Sequence, residues 1–385
     1  MGQWFDNQLN YPSCSELIYQ QDFYAATKEP PLIFAEPVFE IFPGIAEQLA
    51  QRAAGNYYGS IVADETYQSA VQNWLQLRHS WTIDTDWLVP TTGTIAGIAT
   101  AIAAFSKAGD GIIIQTPVFH VYREQIEYLE RTVRGNDLVR TPTGYEINFV
   151  ELEQLMQEDT TTMMILCHPH NPTGKVYTAA ELTQILTLAE KYGVLLLADE
   201  IFADVVYPEI PFVSLGNTDH PSKNWLVFHS LGKSFGMSGI NHANAIIENP
   251  SLRATFAYHL LQRRLGKLDL FSREIVVAAY QSGHEWLNQM VAYIQENQQW
   301  VTQFTEKLAI QCIPAEYAYF AWLDFTALGK NEAELQLLFE QASFFATSGS
   351  KYGQAGTGFL RVNLAVPRSV LVGAFERLAS VIEIR

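Results

Sequence analysis

Between about residues 86 and 250, short apolar runs alternate with segments long enough to form helices. The runs are apolar at consecutive positions, which is typical of strands buried on both faces. They lie at residues 111–116, 162–168, 193–200, 225–230 and 243–248, and the helix-length segments between them include 94–106 and 178–193. This pattern predicts an α/β domain with a mostly parallel sheet flanked by helices.

The last hundred or so residues follow a different pattern. A long polar helix is predicted around residues 284–308, and a second helix is predicted near 331–345. Strand-like segments lie at 319–325 and 358–365, and a final helix closes the chain. Strands and helices in this order predict a smaller α+β domain.

No linker rich in Ser, Gly or Pro separates the two parts, so the domains are expected to pack closely together. We predict a large domain over residues 46–275 and a small C-terminal domain over 276–385. Residues 1–45 are expected to pack with the small domain. Prolines interrupt regular structure in this segment, at Pro12, Pro30, Pro31, Pro37 and Pro43.

Composition narrows the class of protein. The 385 residues are 48% hydrophobic and 17% charged, which excludes a disordered chain. The formal net charge of −17 repels phosphate backbones and anionic lipids, so neither nucleic acid nor membrane is expected as a partner. Cys14, Cys167 and Cys312 are too widely spaced for a disulfide framework, and the N-terminus lacks a signal-peptide pattern. We therefore expect a cytoplasmic protein.

Ligands of open parallel sheets bind beyond the carboxyl ends of the strands, so the residues that follow the predicted strands are candidates for a site. Residues 92–94 read Thr-Gly-Thr and open an apolar helix, where free N–H groups favour an anion such as phosphate. A Thr-capped helix start is the alternative interpretation. Phe119 follows the next strand and is either a ring that stacks on a ligand or part of the core.

Two further strand ends carry polar groups. Residues 168–174 read HPHNPTG, a rigid loop in which Asn171 offers both a hydrogen-bond donor and acceptors. The two histidines of this loop lack a completing carboxylate or cysteine pattern, so no metal site is expected. Asp199 ends an apolar run and is either a turn cap or a buried carboxylate that holds a cationic ring nitrogen.

Lys233 stands a few residues past the strand predicted at 225–230, among small residues. A lysine in this setting either extends its amine to water or has a chemical role. Burial lowers the pKa of such an amine, and the neutral amine is a nucleophile for carbonyl groups.

Taken together, these residues and their spacing resemble the fold-type I pyridoxal-phosphate enzymes of the class I/II aminotransferase group. More narrowly, the chain is similar to the cystathionine β-lyase (C–S lyase) branch known as MalY/PatB. The matching stretches cover nearly the whole chain and lie at residues 67–83, 111–119, 168–178, 199–204, 317–325 and 358–368. The resemblance implies a pyridoxal 5'-phosphate cofactor and a small-molecule amino-acid substrate.

The resemblance also assigns roles to matching positions. Lys233 is implied to carry the cofactor and to move the substrate's proton, and Asp199 is implied to bind the pyridine nitrogen. Asn171 is implied to bind the ring hydroxyl and to contact substrate, and Phe119 to stack on the ring. The phosphate is assigned to Gly93, Thr94 and Ser230.

Two assignments concern the substrate and the assembly. Arg361, in the alternating stretch 358–365, is implied to bind the substrate carboxylate, and an ordinary exposed strand arginine is the alternative. Either Tyr57 or Tyr58 is implied to reach the partner subunit's phosphate. The family's active sites lie at a dimer interface, so a homodimer is expected.

The chain departs from the family's pattern at several positions. Glu36 stands where the family has Asp, Gly232 replaces the Ser or Thr before the lysine, and Asn241 replaces the phosphate-binding Arg of many aminotransferases. Phe202 occupies the position of a His or Tyr that faces the cofactor. These changes leave three functions open: a C–S β-lyase that releases a thiol, pyruvate and ammonia, an aminotransferase, and a catalytically reduced regulatory or structural relative.

Overall fold

The computed structural model describes residues 4–7, 27, 29–308 and 310–382. Its larger sheet has seven strands in the order β1-β9-β8-β7-β6-β2-β3. β9 is antiparallel to both β1 and β8, and the other neighbouring pairs are parallel. The strands are β1 (Leu88–Thr91), β2 (Gly111–Thr116), β3 (Thr132–Asp137), β6 (Thr161–Cys167), β7 (Leu195–Asp199), β8 (Trp225–His229) and β9 (Ala243–Ile246). The predicted mostly parallel α/β sheet is confirmed.

Helices cover both faces of this sheet. They are α1 (Pro43–Ala53), α2 (Glu65–His79), α3 (Thr94–Phe105), α4 (Val121–Tyr128), α5 (Phe149–Gln157), α6 (Ala179–Tyr192), α7 (Leu231–Ser234), α8 (Pro250–Arg263) and α9 (Leu270–Ser282). The hairpin β4 (Val139–Thr141) and β5 (Gly144–Glu146) lies apart from the sheet. Local chemistry sets the helix ends: at α6, Thr178 and Glu181 form a capping box, and Gly193 adopts the left-handed conformation that ends the helix.

Burial on both faces explains the continuous apolar runs. Every residue of β2, β7 and β8 is buried. Along β7, Leu196 packs into the larger hydrophobic core and Leu197 into the core on the opposite face. Both kinds of position are apolar because helices exclude water from both sides of the sheet.

The C-terminal part contains a second, antiparallel sheet in the order β10-β11-β13-β12. Its strands are β10 (Gln311–Ile313), β11 (Phe320–Asp324), β12 (Thr347–Ser348) and β13 (Phe359–Asn363). The helices of this part are α10 (His284–Thr305), α11 (Glu332–Gln341) and α12 (Arg368–Val381). The smaller α+β part of the predicted fold class is confirmed, while the domain boundaries stay predictions.

The described part of the N-terminal segment lies beside this second sheet. The Asn363 N–H donates to the carbonyl of Leu32 at 2.9 Å, and the Val38 N–H donates to the carbonyl of Ala365 at 2.7 Å. Phe5 meets Phe39 edge-on with ring centroids 5.1 Å apart. These contacts bring the segment toward the cavity described below. Pro12 and Cys14 lie outside the described residues.

Within the part of the chain that the structure describes, no helix is both long and apolar enough to cross a membrane.

Candidate active site

A cavity of about 420 Å³ lies at the carboxyl ends of the parallel strands. It is lined by residues that follow five different strands, as expected because ligands of open parallel sheets bind beyond the carboxyl ends of the strands. The predicted site residues that line it are Gly93, Thr94, Phe119, Asn171, Asp199, Phe202, Ser230 and Lys233. The predicted residues, which are separated by up to 140 positions in sequence, therefore meet in one cavity.

Lys233 reaches the cavity from α7, the short helix that follows β8. Its Nζ donates hydrogen bonds to the carbonyl of Ala35 at 2.6 Å and to the Ser238 hydroxyl at 3.0 Å. Burial lowers the pKa of Lys233 to about 8, against the smaller opposing effect of Glu36. A substantial fraction of the amine is therefore neutral near pH 8 and available as a nucleophile or base.

Asp199 ends β7 and is 4% exposed. Its carboxylate accepts hydrogen bonds from the Tyr122 hydroxyl at 2.6 Å and from the Ile201 N–H at 3.2 Å. Burial raises the pKa of Asp199 to about 6. Among the described residues no basic side chain forms an ion pair with it, so a cationic ligand group would stabilise the charged carboxylate.

Arg361 and Asn171 form a pair at the boundary between the two sheets. Arg361 Nη1 donates to Asn171 Oδ1 at 3.2 Å, and Nη2 donates to the carbonyl of Ile33 at 2.7 Å. The guanidinium lies 4.1 Å from the ring centroid of Phe320, a cation–π contact. Arg361 is only 5% exposed, so the alternative of an exposed strand arginine is wrong.

The start of α3 presents polar groups without partners. Gly93 has φ 99°, a left-handed conformation suited to glycine, and α3 begins at the next residue. The hydroxyls of Thr92 and Thr94 are buried and have no hydrogen-bond partner among the described residues. The Ser230 hydroxyl donates to the carbonyl of His242 at 2.7 Å. This end of the cavity can therefore offer N–H and O–H donors to an anion.

Two phenylalanines form apolar walls. The ring of Phe119 meets that of Tyr122 edge-on, with centroids 5.6 Å apart. Phe202 is buried and packs against Tyr319 and Phe320, with ring centroids 5.7 and 5.6 Å away. Phe202 brings no hydrogen-bond donor to the cavity.

Tyr57 and Tyr58 lie elsewhere on this chain. Their side chains are 78% and 55% exposed, and neither lines the cavity. The Tyr58 hydroxyl donates to the carbonyl of Ala53, and the carbonyl of Tyr57 accepts from Arg52 at 2.9 Å. Within one chain these tyrosines are surface residues, and a role in the site requires a second subunit.

The two histidines of the 168–174 loop are engaged by protein groups. His168 Nε2 lies 3.0 Å from the carbonyl of Val213, and His170 Nε2 lies 3.0 Å from that of Gln115. Burial lowers the pKa of each imidazole to about 4. Both rings are therefore neutral parts of the loop scaffold at pH 7.

Sequence reasoning missed several residues of the site. Tyr122, Cys167, Ser238 and His242 all line the cavity. It also missed the buried group formed by His79, Asp204 and His229, whose potential ligand atoms lie within 4.8 Å of one another. Cys167 lies at the end of the strand predicted at 162–168 and Tyr122 lies three residues after Phe119, so proximity to a strand end could have suggested both. No local pattern links His79 to Asp204, because their contact spans 125 residues.

Three comparisons with known proteins agree with this geometry. The family model for aminotransferase class I and II matches residues 37–378. The cystathionine β-lyase PatB of Bacillus subtilis (strain 168) is 29% identical, and protein MalY of Escherichia coli (strain K12) is 30% identical. Each alignment covers 93% of both chains.

A similar solved structure is that of cystalysin from Treponema denticola, which contains pyridoxal 5'-phosphate. It superposes with a TM-score of 0.93 and 28% identity, covering 98% of each chain. The agreement extends across both sheets rather than over one motif. The family resemblance seen in the sequence is confirmed, and the chain belongs to the class I and II aminotransferase family.

Proposed function

We propose that this chain is a pyridoxal-phosphate-dependent C–S β-lyase that eliminates a thiol from an L-amino acid and yields pyruvate and ammonia. One observation supports this most directly: Lys233, Asp199 and Asn171 line one cavity, and Arg361, which is not part of that lining, donates a hydrogen bond to Asn171. The similarity to PatB, a cystathionine β-lyase, over 93% of the chain supports the reaction class.

The chemistry of the cavity suits pyridoxal phosphate. The unpartnered hydroxyls of Thr92 and Thr94, at the start of α3, suit its phosphate. Asp199, which forms no ion pair with a described side chain and whose pKa is raised by burial, suits the protonated ring nitrogen. When bound, the cofactor supplies an electron-accepting ring conjugated with the substrate nitrogen. Phe119, which lines the cavity, would cover a face of that ring.

The chain's own residues then carry out proton transfer and orientation. Lys233 Nζ, with its lowered pKa, takes the proton from the substrate Cα. The electron pair left at Cα forms a double bond to Cβ as the Cβ–S bond breaks, and the thiolate departs with the bonding electrons. The released enamine takes up water to give pyruvate and ammonia. A proton held by Lys233 can protonate the leaving sulfur, so the amine ends in its starting state.

Arg361 orients the substrate in this proposal. Its guanidinium is held between Asn171 and the carbonyl of Ile33, and its Nε has no hydrogen-bond partner among the described residues. A substrate carboxylate would supply acceptors for this group. Burial strengthens the interaction, because water does not compete for the same donors.

The same proton transfer begins both elimination and transamination. Purified protein loaded with pyridoxal phosphate is therefore mixed with L-cystathionine, with and without a 2-oxo acid acceptor. Elimination releases thiol, pyruvate and ammonia without the acceptor, and Lys233→Ala abolishes all three. An aminotransferase would require the acceptor and form a new amino acid without thiol. No turnover under either condition would overturn the proposal in favour of a regulatory or structural relative.

The proposed active species is a homodimer with its active sites at the interface. The exposed rings of Tyr57 and Tyr58 are available to a second subunit, where one of them would contact the partner's phosphate. A cytoplasmic location also belongs to the proposal. It is supported by the two described cysteines, Cys167 and Cys312, which are both free thiols.

A further inference from the structure

His242 lines the cavity and is 4% exposed. Its Nε2 lies 2.7 Å from the hydroxyl of Tyr67, which lies outside the cavity lining. Its Nδ1 is buried and has no hydrogen-bond partner among the described residues. A buried ring nitrogen without a partner is costly unless a ligand satisfies it.

The strand register places His242 at the same end of the cavity as the start of α3. Thr91, the last residue of β1, pairs with Ala243, the first residue of the antiparallel β9. The next opposing positions are Thr92 and His242. His242 therefore lies at the same end of the cavity as Thr92 and Thr94, whose hydroxyls have no partner among the described residues, and its carbonyl accepts the hydrogen bond from Ser230.

The distribution of basic side chains around the cavity indicates a role for His242. Among the described residues that line the cavity, only Lys233 and His242 have basic side chains. Lys233 is engaged by Ala35 and Ser238, and position 241 is an uncharged asparagine. A phosphate dianion at the start of α3 therefore has one basic side chain left to compensate its charge.

We propose that His242 binds the cofactor phosphate through Nδ1 as an imidazolium, with Tyr67 and Asn244 holding the ring from behind. The inference rests on the proposed function, since pyridoxal phosphate brings the phosphate to this end. Cofactor binding and proton uptake are thereby coupled at one residue.

The hydrogen-bond directions explain the proton uptake. The Tyr67 hydroxyl donates to Asn244 Oδ1 at 2.7 Å, so its oxygen accepts from His242 Nε2–H. In the neutral ring Nδ1 is then a bare acceptor, which cannot bond to a phosphate oxygen. Only a ring protonated at both nitrogens donates to Tyr67 and to phosphate at once.

The surroundings of His242 keep the ring neutral before the phosphate arrives. Burial lowers the pKa of His242 to about 4, with a smaller raising effect from Asp269 and a lowering effect from His229. Tyr67 contacts the ring, and Lys233 is the other basic residue of the cavity lining. The phosphate dianion supplies the missing negative charge and raises the pKa of the imidazole, so binding takes up a proton.

The test measures binding to the cofactor-free protein rather than activity. Pyridoxal phosphate and pyridoxal, which lacks the phosphate, are titrated into the wild type, His242→Gln and His242→Asn. Glutamine keeps a donor toward Tyr67 but lacks Nδ1, and we expect about 10- to 100-fold weaker binding of pyridoxal phosphate. Asparagine keeps an uncharged donor near the position of Nδ1, so we expect a smaller loss of pyridoxal-phosphate affinity than in His242→Gln. Pyridoxal affinity should change little in either variant.

Calorimetry in two buffers of equal pH and different ionisation enthalpy counts the protons. At pH 8 the wild type should take up about one more proton than either variant on binding pyridoxal phosphate. Thermal unfolding of the cofactor-free proteins checks that the variants fold, and His242→Asn serves if His242→Gln does not. Equal affinities and equal proton uptake in all three proteins would overturn the inference. Failure of the wild type to bind pyridoxal phosphate would instead overturn the proposed function.

Discussion

At the scale of single residues, Arg361 shows how one side chain links the two sheets. Its backbone belongs to β13 in the C-terminal sheet, and its Nη1 donates to Asn171, which follows β6 of the larger sheet. Burying a guanidinium is unfavourable without compensation. Here the compensation comes from two hydrogen bonds and from the faces of Phe320 and Tyr352.

Replacing Arg361 by lysine should therefore affect the substrate carboxylate selectively. A lysine amine cannot form two parallel hydrogen bonds, so KM for an amino-acid substrate should rise about 10- to 100-fold. Turnover of the corresponding decarboxylated amine should change much less. Steady-state kinetics on both substrates measures the difference, with the exposed Arg123→Lys as the control. Equal effects on acid and amine would mean that Arg361 has only a structural role.

At the scale of elements, a buried ionic group anchors the helix that carries Lys233. Asp204 lies at the centre: His79 Nε2 is 2.8 Å from its Oδ1, and Ser234 of α7 donates to its Oδ2 at 2.8 Å. Burial raises the pKa of Asp204, but the nearby His229 and His79 outweigh it and hold that pKa well below the usual range. Asp204 therefore fixes the position of the residue next to Lys233.

Asp204→Asn should lower the free energy of unfolding by about 3 kcal/mol at pH 7, because the buried His229, whose pKa is raised beside Asp204, loses its counter-charge. The lowered pKa means that this stabilisation is present above the ordinary carboxyl pKa of about 4 and is lost as pH falls through the folded-state value. The difference between wild type and variant should therefore shrink in acid. Urea unfolding from pH 7 down to pH 3 measures it.

The control for this substitution is Glu190→Gln, because Glu190 is exposed and lies 3.8 Å from the imidazole of His220. We expect little change in stability there, since water screens surface charges. An Asp204→Asn protein as stable as the wild type at pH 7 would show that the buried carboxylate is not needed to hold α7.

At the scale of the whole molecule, the proposed homodimer predicts complementation between two defective chains. Lys233→Ala lacks the amine, and a Tyr57→Phe, Tyr58→Phe double variant lacks the hydroxyls offered to the partner. If each site combines groups from both subunits, a mixed dimer contains one intact site. Random mixing should then restore about a quarter of the wild-type sites.

Co-expression with two affinity tags, followed by activity measurement, tests the mixed dimer, and light scattering gives its mass. Each variant expressed alone is the control and should have low activity. A fully active wild-type monomer, or mixed dimers without restored activity, would contradict the proposed interface.

Individual strands show how much of the fold the local sequence pattern predicts. The run ending at Asp199 predicts β7, because a strand buried on both faces must be apolar at consecutive positions. β3, by contrast, was not predicted: its residues Thr132–Asp137 are mostly polar or charged, and it lies at the sheet edge beside β2. An edge strand is only partly buried, so its sequence carries a weaker signal. The antiparallel direction of β9 was not predicted either, because it is set by how β9 pairs with β1 and β8 and not by its own sequence.

The sequence by itself determined the fold class and the chemical groups at the strand ends, including Lys233, Asp199 and Asn171. Burial imposes residue types position by position, and parallel strands bring their carboxyl ends to one edge. Only the tertiary structure decided that Arg361 bonds to Asn171, 190 residues away in sequence, and that Asp204 lies between His79 and His229. The same holds for His242 Nδ1, which has no partner among the described residues. Hydrogen bonds and desolvation depend on distances between side chains of separate elements, which no local pattern encodes.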